Sequence, residues 1–223
     1  FLAEHWYDGP AQSVFESSRV ETTLLAGAEA TSDKFLDRLD SLQEKLDRKE
    51  LSDGDWVVLV IESHALNFDK STFLVGSDAS SSTPPKPAIS ARDLATRLGN
   101  LAHYGCKVML LLDAVHPGVA TDLKEWVRHL QVDQDVTTFV ASSHGPSQSH
   151  LANGAFAWGI LQCLDVAGQA RQRSDPDAPF SLFDFQDGVK QTVLEVTRRR
   201  QNAACYVPQS LSMKMPLLDP RGR

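Results

Sequence analysis

The sequence predicts an α/β domain: a mainly parallel sheet with helices on both faces. Three observations lead there. Two runs, "WVVLVI" (56–61) and "KVMLLLD" (107–113), are continuously apolar, the mark of strands buried on both faces. Segments of about 12 residues with helical periodicity separate the strands, which implies crossover connections. No clear linker splits the chain, and its 223 residues at 42% hydrophobic content can bury one sizeable core.

The elements follow in order. "RVETTLL" (19–25) reads as a short strand. Ser32 caps a helix in which Phe35, Leu36, Leu39, Leu42 and Leu46 keep a helical period. "SDGD" (52–55) is a turn into the first long strand, and "TFLVG" (72–76) is a shorter strand. "SDASSSTPPKPA" (77–88) is too polar and too broken by proline to pack. Ser90 with Asp93 opens a helix carrying Leu94, Leu98 and Leu101. After the strand at 107–113, Leu123, Trp126, Val127 and Leu130 mark a helix, and "VTTFVASS" (136–143) is the next strand. An apolar helix runs from about Gly154 to Ala167, and a charged loop fills 168–179. A last helix holds Phe185, Val189, Val193 and Val196, before a tail of strand-like pieces broken by prolines. There are no internal repeats.

Charge and cysteine usage narrow the function. A net charge of −7 argues against nucleic acid or an anionic membrane as partner. The basic cluster Arg198-Arg199-Arg200 reads as the last turn of a helix, where cations suit the dipole. No apolar run approaches the roughly 20 residues of a membrane span. Cys106, Cys163 and Cys205 stand singly among apolar neighbours and read as reduced core thiols of an intracellular, cytoplasmic protein.

Chemistry concentrates at two strand ends. "VVLVIESHAL" puts His64 just past one strand, and "LLLDAVHPG" puts Asp113 and His116 past another. Parallel strands deliver both ends to one sheet edge, so these groups can converge. A lone histidine is more often a hydrogen-bonded structural residue. The spacing fixes no ligand set on one element, so neither a metal nor any cofactor is implied. Ser142 and Ser143 end the next strand beside His144, a pairing that could serve a substitute nucleophile. A nucleotide or signalling module of unrelated fold lacks support, since no glycine-rich phosphate loop follows any strand.

The ordered motifs resemble the caspase-like cysteine peptidase family, near its bacterial branch related to metacaspases. In that family one buried strand ends in Ser-Gly-His-Gly, which bears the catalytic histidine. The matching residues here are Glu62-Ser63-His64-Ala65. A second strand ends in Asp-Ala-Cys-His-Ser-Gly, which bears the nucleophile, and here it reads Asp113-Ala114-Val115-His116-Pro117-Gly118. The likeness continues through "ETTLLAGAEATSDKFLDRLDSL", "FLVGSDAS", "NGAFAWGILQCL" and "VLEVTRRRQNAACY", nearly the whole chain.

The resemblance implies a caspase-like three-layer fold in one domain over 1–223, with His64 as the residual family histidine. Val115 then occupies the nucleophile's place. A branched alkyl group cannot ionise or form the acyl-enzyme, so the expected activity is binding or scaffolding by a pseudoprotease, with no cleavage. Ala65 and Pro117 also depart from the pattern, and proline removes a backbone donor. Asp113, with His116 beside it, matches the place where metacaspase-like enzymes form a pocket for basic residues. The implied partner is therefore a protein or peptide, basic in character. The alternative is a hydrolase using Ser142 or Ser143. The family's first strand precedes "RVETTLL", and residues 1–18 hold no comparable apolar run. The remainder of a longer chain is expected to supply it.

Overall fold

The computed structural model describes residues 21–51, 55–69, 71–80, 86–115, 136–143, 155–163, 180–199, 201–207 and 216–218. The chain gathers into two compact units. One comprises Leu24–Pro146 with Cys205–Ser210; the other comprises Phe1–Thr23, Ser147–Ala204 and Leu211–Arg223.

In the first unit, α1 (Ser32–Asp47) starts at Thr31, whose hydroxyl accepts the Lys34 N–H at 3.2 Å. Threonine, not the expected Ser32, is therefore the cap. Ser32 is the first helical residue, and its own N–H donates to the Asp78 carboxylate at 3.0 Å. Gly76 lies against this contact. A Cβ there would come within 2.6 Å of Asp78 Oδ1 and 2.7 Å of the Ser32 nitrogen, so only glycine fits. The Ser77 N–H adds a bond to the Ala30 carbonyl at 2.9 Å. The loop after "TFLVG" is thereby fastened to the start of α1.

Strand β1 (Trp56–Phe68) turns through Asp69, at φ 47, into β2 (Ser71–Val75), which pairs with it antiparallel. β2 is followed by β3 (Ile89–Ser90) and then α2 (Ala91–His103), capped by Ser90 Oγ on the Asp93 N–H at 3.0 Å. β4 (Lys107–Val115) lies parallel to β1 over nine residue pairs, from Trp56 beside Lys107 to His64 beside Val115. β5 (Thr137–Ser143) lies parallel to β4. With β7 (Gln201–Tyr206) the sheet order is β3-β2-β1-β4-β5-β7.

Alternation divides the sheet's two faces. Val57 and Leu59 of β1 and Val108, Leu110 and Leu112 of β4 meet Leu39 and Leu46 of α1 and Leu94, Leu98 and Leu101 of α2 in one buried core. Both helices present the apolar stripe that their spacing predicts. On the opposite face Met109 and Leu111 of β4 are fully buried.

In the second unit, residues 155–163 form α3, and Ser181 caps α4 (Leu182–Val196) through a reciprocal box with Asp184. The helices touch through glycine. A Cβ on Gly159 would meet Val193 at 2.8 Å, and one on Gly188 would collide with Cys163 Sγ. β6 (Phe180–Ser181), just before α4, pairs with β8 (Pro216–Leu218) in a short antiparallel ribbon.

Four expectations need correction, and that of a mainly parallel sheet holds in part. Residues 21–25 form no strand: Leu24 is 83% exposed, and among the described residues no neighbour offers a ladder. β1 is not buried on both faces, because Val58 and Val60 remain 37% and 46% exposed. The sheet is mixed: β1 pairs antiparallel with β2 and parallel with β4, because a two-residue hairpin turns the chain straight back after β1. His64 lies inside β1, since the alternation of "SHALNF" continues into that hairpin. The arginines follow α4 instead of ending it: Thr197 is the C-cap, and Arg198 and Arg199 take left-handed conformations at φ 51 and 64. The expected helix around Leu123–Leu130, with Arg200 and residues 1–20, lies outside the described residues.

Candidate functional site

The parallel pairing of β1 with β4 levels the two strand segments that carry the chemistry. Glu62 stands beside Asp113, Ser63 beside Ala114 and His64 beside Val115. Register neighbours in a parallel sheet share a face at about 4.8 Å separation. Val58, Val60, Glu62 and His64 therefore form one column on β1, and Met109, Leu111 and Asp113 stand beside the first three of them on β4. The histidine and the place of the expected nucleophile are thus adjacent through strand register.

The two carboxylates occupy unlike surroundings. Glu62 is exposed, whereas Asp113 is 8% exposed and its Oδ1 is buried without a hydrogen-bond partner. An orphaned, buried carboxylate oxygen is costly. Burial, and to a smaller degree the neighbouring Glu62 charge, together push the Asp113 carboxyl up to about 6. Near neutral pH this position holds a carboxylate on the verge of taking a proton. A cationic group brought beside it would satisfy the oxygen and hold it ionised.

Other candidates are placed less fully. His64 is exposed on β1. Ala65 is fully buried and packs in the core, where its methyl fills space that glycine would leave empty. Ser142 and Ser143 are the last residues of β5, one and two beyond Ala141, the register neighbour of Asp113. His116, Pro117 and His144 lie outside the described residues. Cys106 and Cys163 are buried thiols, and burial pushes Cys163 up to about 12, ahead of the smaller effects of Asp184 and Asp187. Its Sγ lies 3.5 Å from the Phe185 carbonyl. Such a thiol is inert at neutral pH.

Ser63, within β1, ties that strand to the last residue of β2. Its Oγ accepts the Val75 N–H at 3.1 Å and lies 3.0 Å from the Val75 carbonyl. Among the described residues no group of three or more histidine, cysteine or acidic side chains could hold a metal ion, and no helix is long and apolar enough to cross a membrane.

Sequence reasoning missed the pairing of Glu62 with Asp113. The signal was available: both follow six residues from the start of their strands, in "WVVLVIE" and "KVMLLLD", and a parallel register that levels the starts levels the carboxylates. Compared with known proteins, the chain matches no family model and no curated sequence.

Proposed function

We propose that this chain is a caspase-like domain that has lost peptidase chemistry and works by binding a basic protein or peptide segment. The observation that carries this is the register of β1 and β4. It sets His64 beside Val115 and a buried, unpartnered Asp113 beside Glu62. The first pair would be a histidine and nucleophile if residue 115 were cysteine. The second pair supplies negative charge that would draw lysine or arginine. Recognition survives the loss of a thiolate; acyl transfer does not. In this reading the domain is a three-layer, cytoplasmic one.

The test is Val115→Cys. The thiol would stand next to His64 and should alkylate with iodoacetamide at least tenfold faster than Cys163 at pH 7. His64→Ala in that background should return it to the slow rate. The unsubstituted chain should turn over no Arg-, Lys- or Asp-directed peptide. Peptidase activity abolished by His64→Ala would overturn the reading. Activity abolished by Ser142→Ala or Ser143→Ala would instead establish the substitute nucleophile, whose only structural support is the level of β5 beside β4.

A further inference from the structure

The register of β4 puts a carboxylate where its own sheet gives it nothing to bond. Within a ladder the backbone N–H groups are committed to neighbouring strands, so none turns to a side chain on the sheet's face. Asp113 shares its face with Met109 and Leu111, both fully buried, and is itself only 8% exposed. Its register neighbours are Glu62 on β1 and Ala141 on β5. Neither brings a donor: an ionised glutamate only accepts, and alanine has a methyl group.

The other charged groups are few. β5 contains no titratable residue. On β1 the remaining titratable group of the Glu62 column is His64, level with Val115 instead of Asp113. Lys107, the only cation of β4, stands six residues back, about 20 Å along the strand, and its ammonium lies over the Trp56 ring. Among the described residues no cation therefore stands beside Asp113, and its Oδ1 stays buried without a partner.

Two species can satisfy such an oxygen, and they exclude one another. A proton neutralises the carboxyl and relieves its repulsion from Glu62. A lysine ammonium or arginine guanidinium donates to the carboxylate, but only once the proton has gone. Ionisation without the cation leaves two negative charges side by side, one of them out of water. Burial first, and the Glu62 charge second, raise the Asp113 carboxyl to about 6, so the exchange falls close to neutrality.

We propose that the Glu62–Asp113 pair is a proton-gated cation site, in which an arginine or lysine side chain of the partner and a proton on Asp113 compete for the same carboxylate. One proton leaves to solvent for each cation that enters a protonated site, so the charge of the pair with its occupant is unchanged. Acid releases the partner and neutrality recruits it. The gate rests on the basic-partner reading above and adds the condition under which that contact is made.

An acetylated, amidated pentapeptide with arginine at the centre of four alanines is the probe, and citrulline in place of arginine is the uncharged control. Titration calorimetry at pH 5, 6 and 7, in buffers of unlike ionisation enthalpy, reads affinity and proton release together. The arginine peptide should bind about tenfold more tightly at pH 7 than at pH 5 and release about half a proton at pH 6. The citrulline peptide should bind about tenfold more weakly at pH 7 and release none. Asp113→Asn should abolish the proton release and flatten the pH dependence. Should that variant not fold, the Asp113 carboxyl carbon, followed by NMR in the unsubstituted chain, decides. It should titrate near pH 6 in the free chain and stay ionised at pH 5 with saturating arginine peptide, whatever the His64 ring does. Equal binding at pH 5 and 7, proton release that survives Asp113→Asn, or a free Asp113 ionised throughout this range would overturn the gate and leave the basic-partner reading standing. No binding of the arginine peptide at pH 7 would overturn both.

Discussion

β4 and β1 are neighbours that both open on an apolar run, yet those runs live in different environments. From Val108 to Leu112 every side chain of β4 is fully buried. In β1 the burial alternates: Val57 and Leu59 are buried on the α1/α2 face, while Val58 and Val60 face water. The difference teaches that an apolar run reports what a strand can tolerate, and its neighbours decide what it buries. Among the described residues β4 has strands on both sides, and β1, along its first half, has one.

Substitutions should expose that contrast. The largest effect is expected at Leu111→Ala, in the fully buried face of β4, which should lose about 2–5 kcal/mol in chemical denaturation. A loss below about 1 kcal/mol would mean that the face is loosely covered.

Asp113→Asn should act in the opposite sense. The folded-state carboxyl is raised from 3.8 to about 6, so between these values the native state holds the proton that the unfolded chain has released. The stability linked to that proton is complete below about pH 4 and is lost as pH rises through 6. Two pKa units correspond to about 3 kcal/mol, an upper figure for the gain from the neutral amide at pH 7. The gain should vanish near pH 4, and an equal gain at both pH values would refute a titrating Asp113.

Val60→Ala should have the smallest effect, under about 1 kcal/mol, because much of the side chain is already solvated. If it cost as much as Leu111→Ala, β1 and β4 would share one environment after all.

Much of this architecture was legible in the sequence. The spacing of Leu39 and Leu46, and of Leu94, Leu98 and Leu101, names the faces that α1 and α2 bury, because amphipathic periodicity is a local property. The open side of β1 was not legible, because "WVVLVI" reads the same whether one neighbour or two are present. Nor was the fate of residues 21–25, since a strand exists only with a partner and Leu24 has none among the described residues. At the site, Asp113 and His64 could be picked out by type and position. The adjacency of His64 to Val115 and of Glu62 to Asp113 needed the register, which is a long-range quantity.

The clasp between Gly76, Asp78 and Ser32 has a consequence for how the molecule yields under load. Asp78 holds the first amide of α1, and the Ser77 N–H holds the Ala30 carbonyl just before it. Tension applied to the β1–β2 hairpin therefore passes directly to the head of α1, 46 residues away from Asp78 in sequence. Hairpin and helix cannot peel away one at a time. They form a single mechanical element, and whatever tugs on the hairpin also tugs on the core beneath α1.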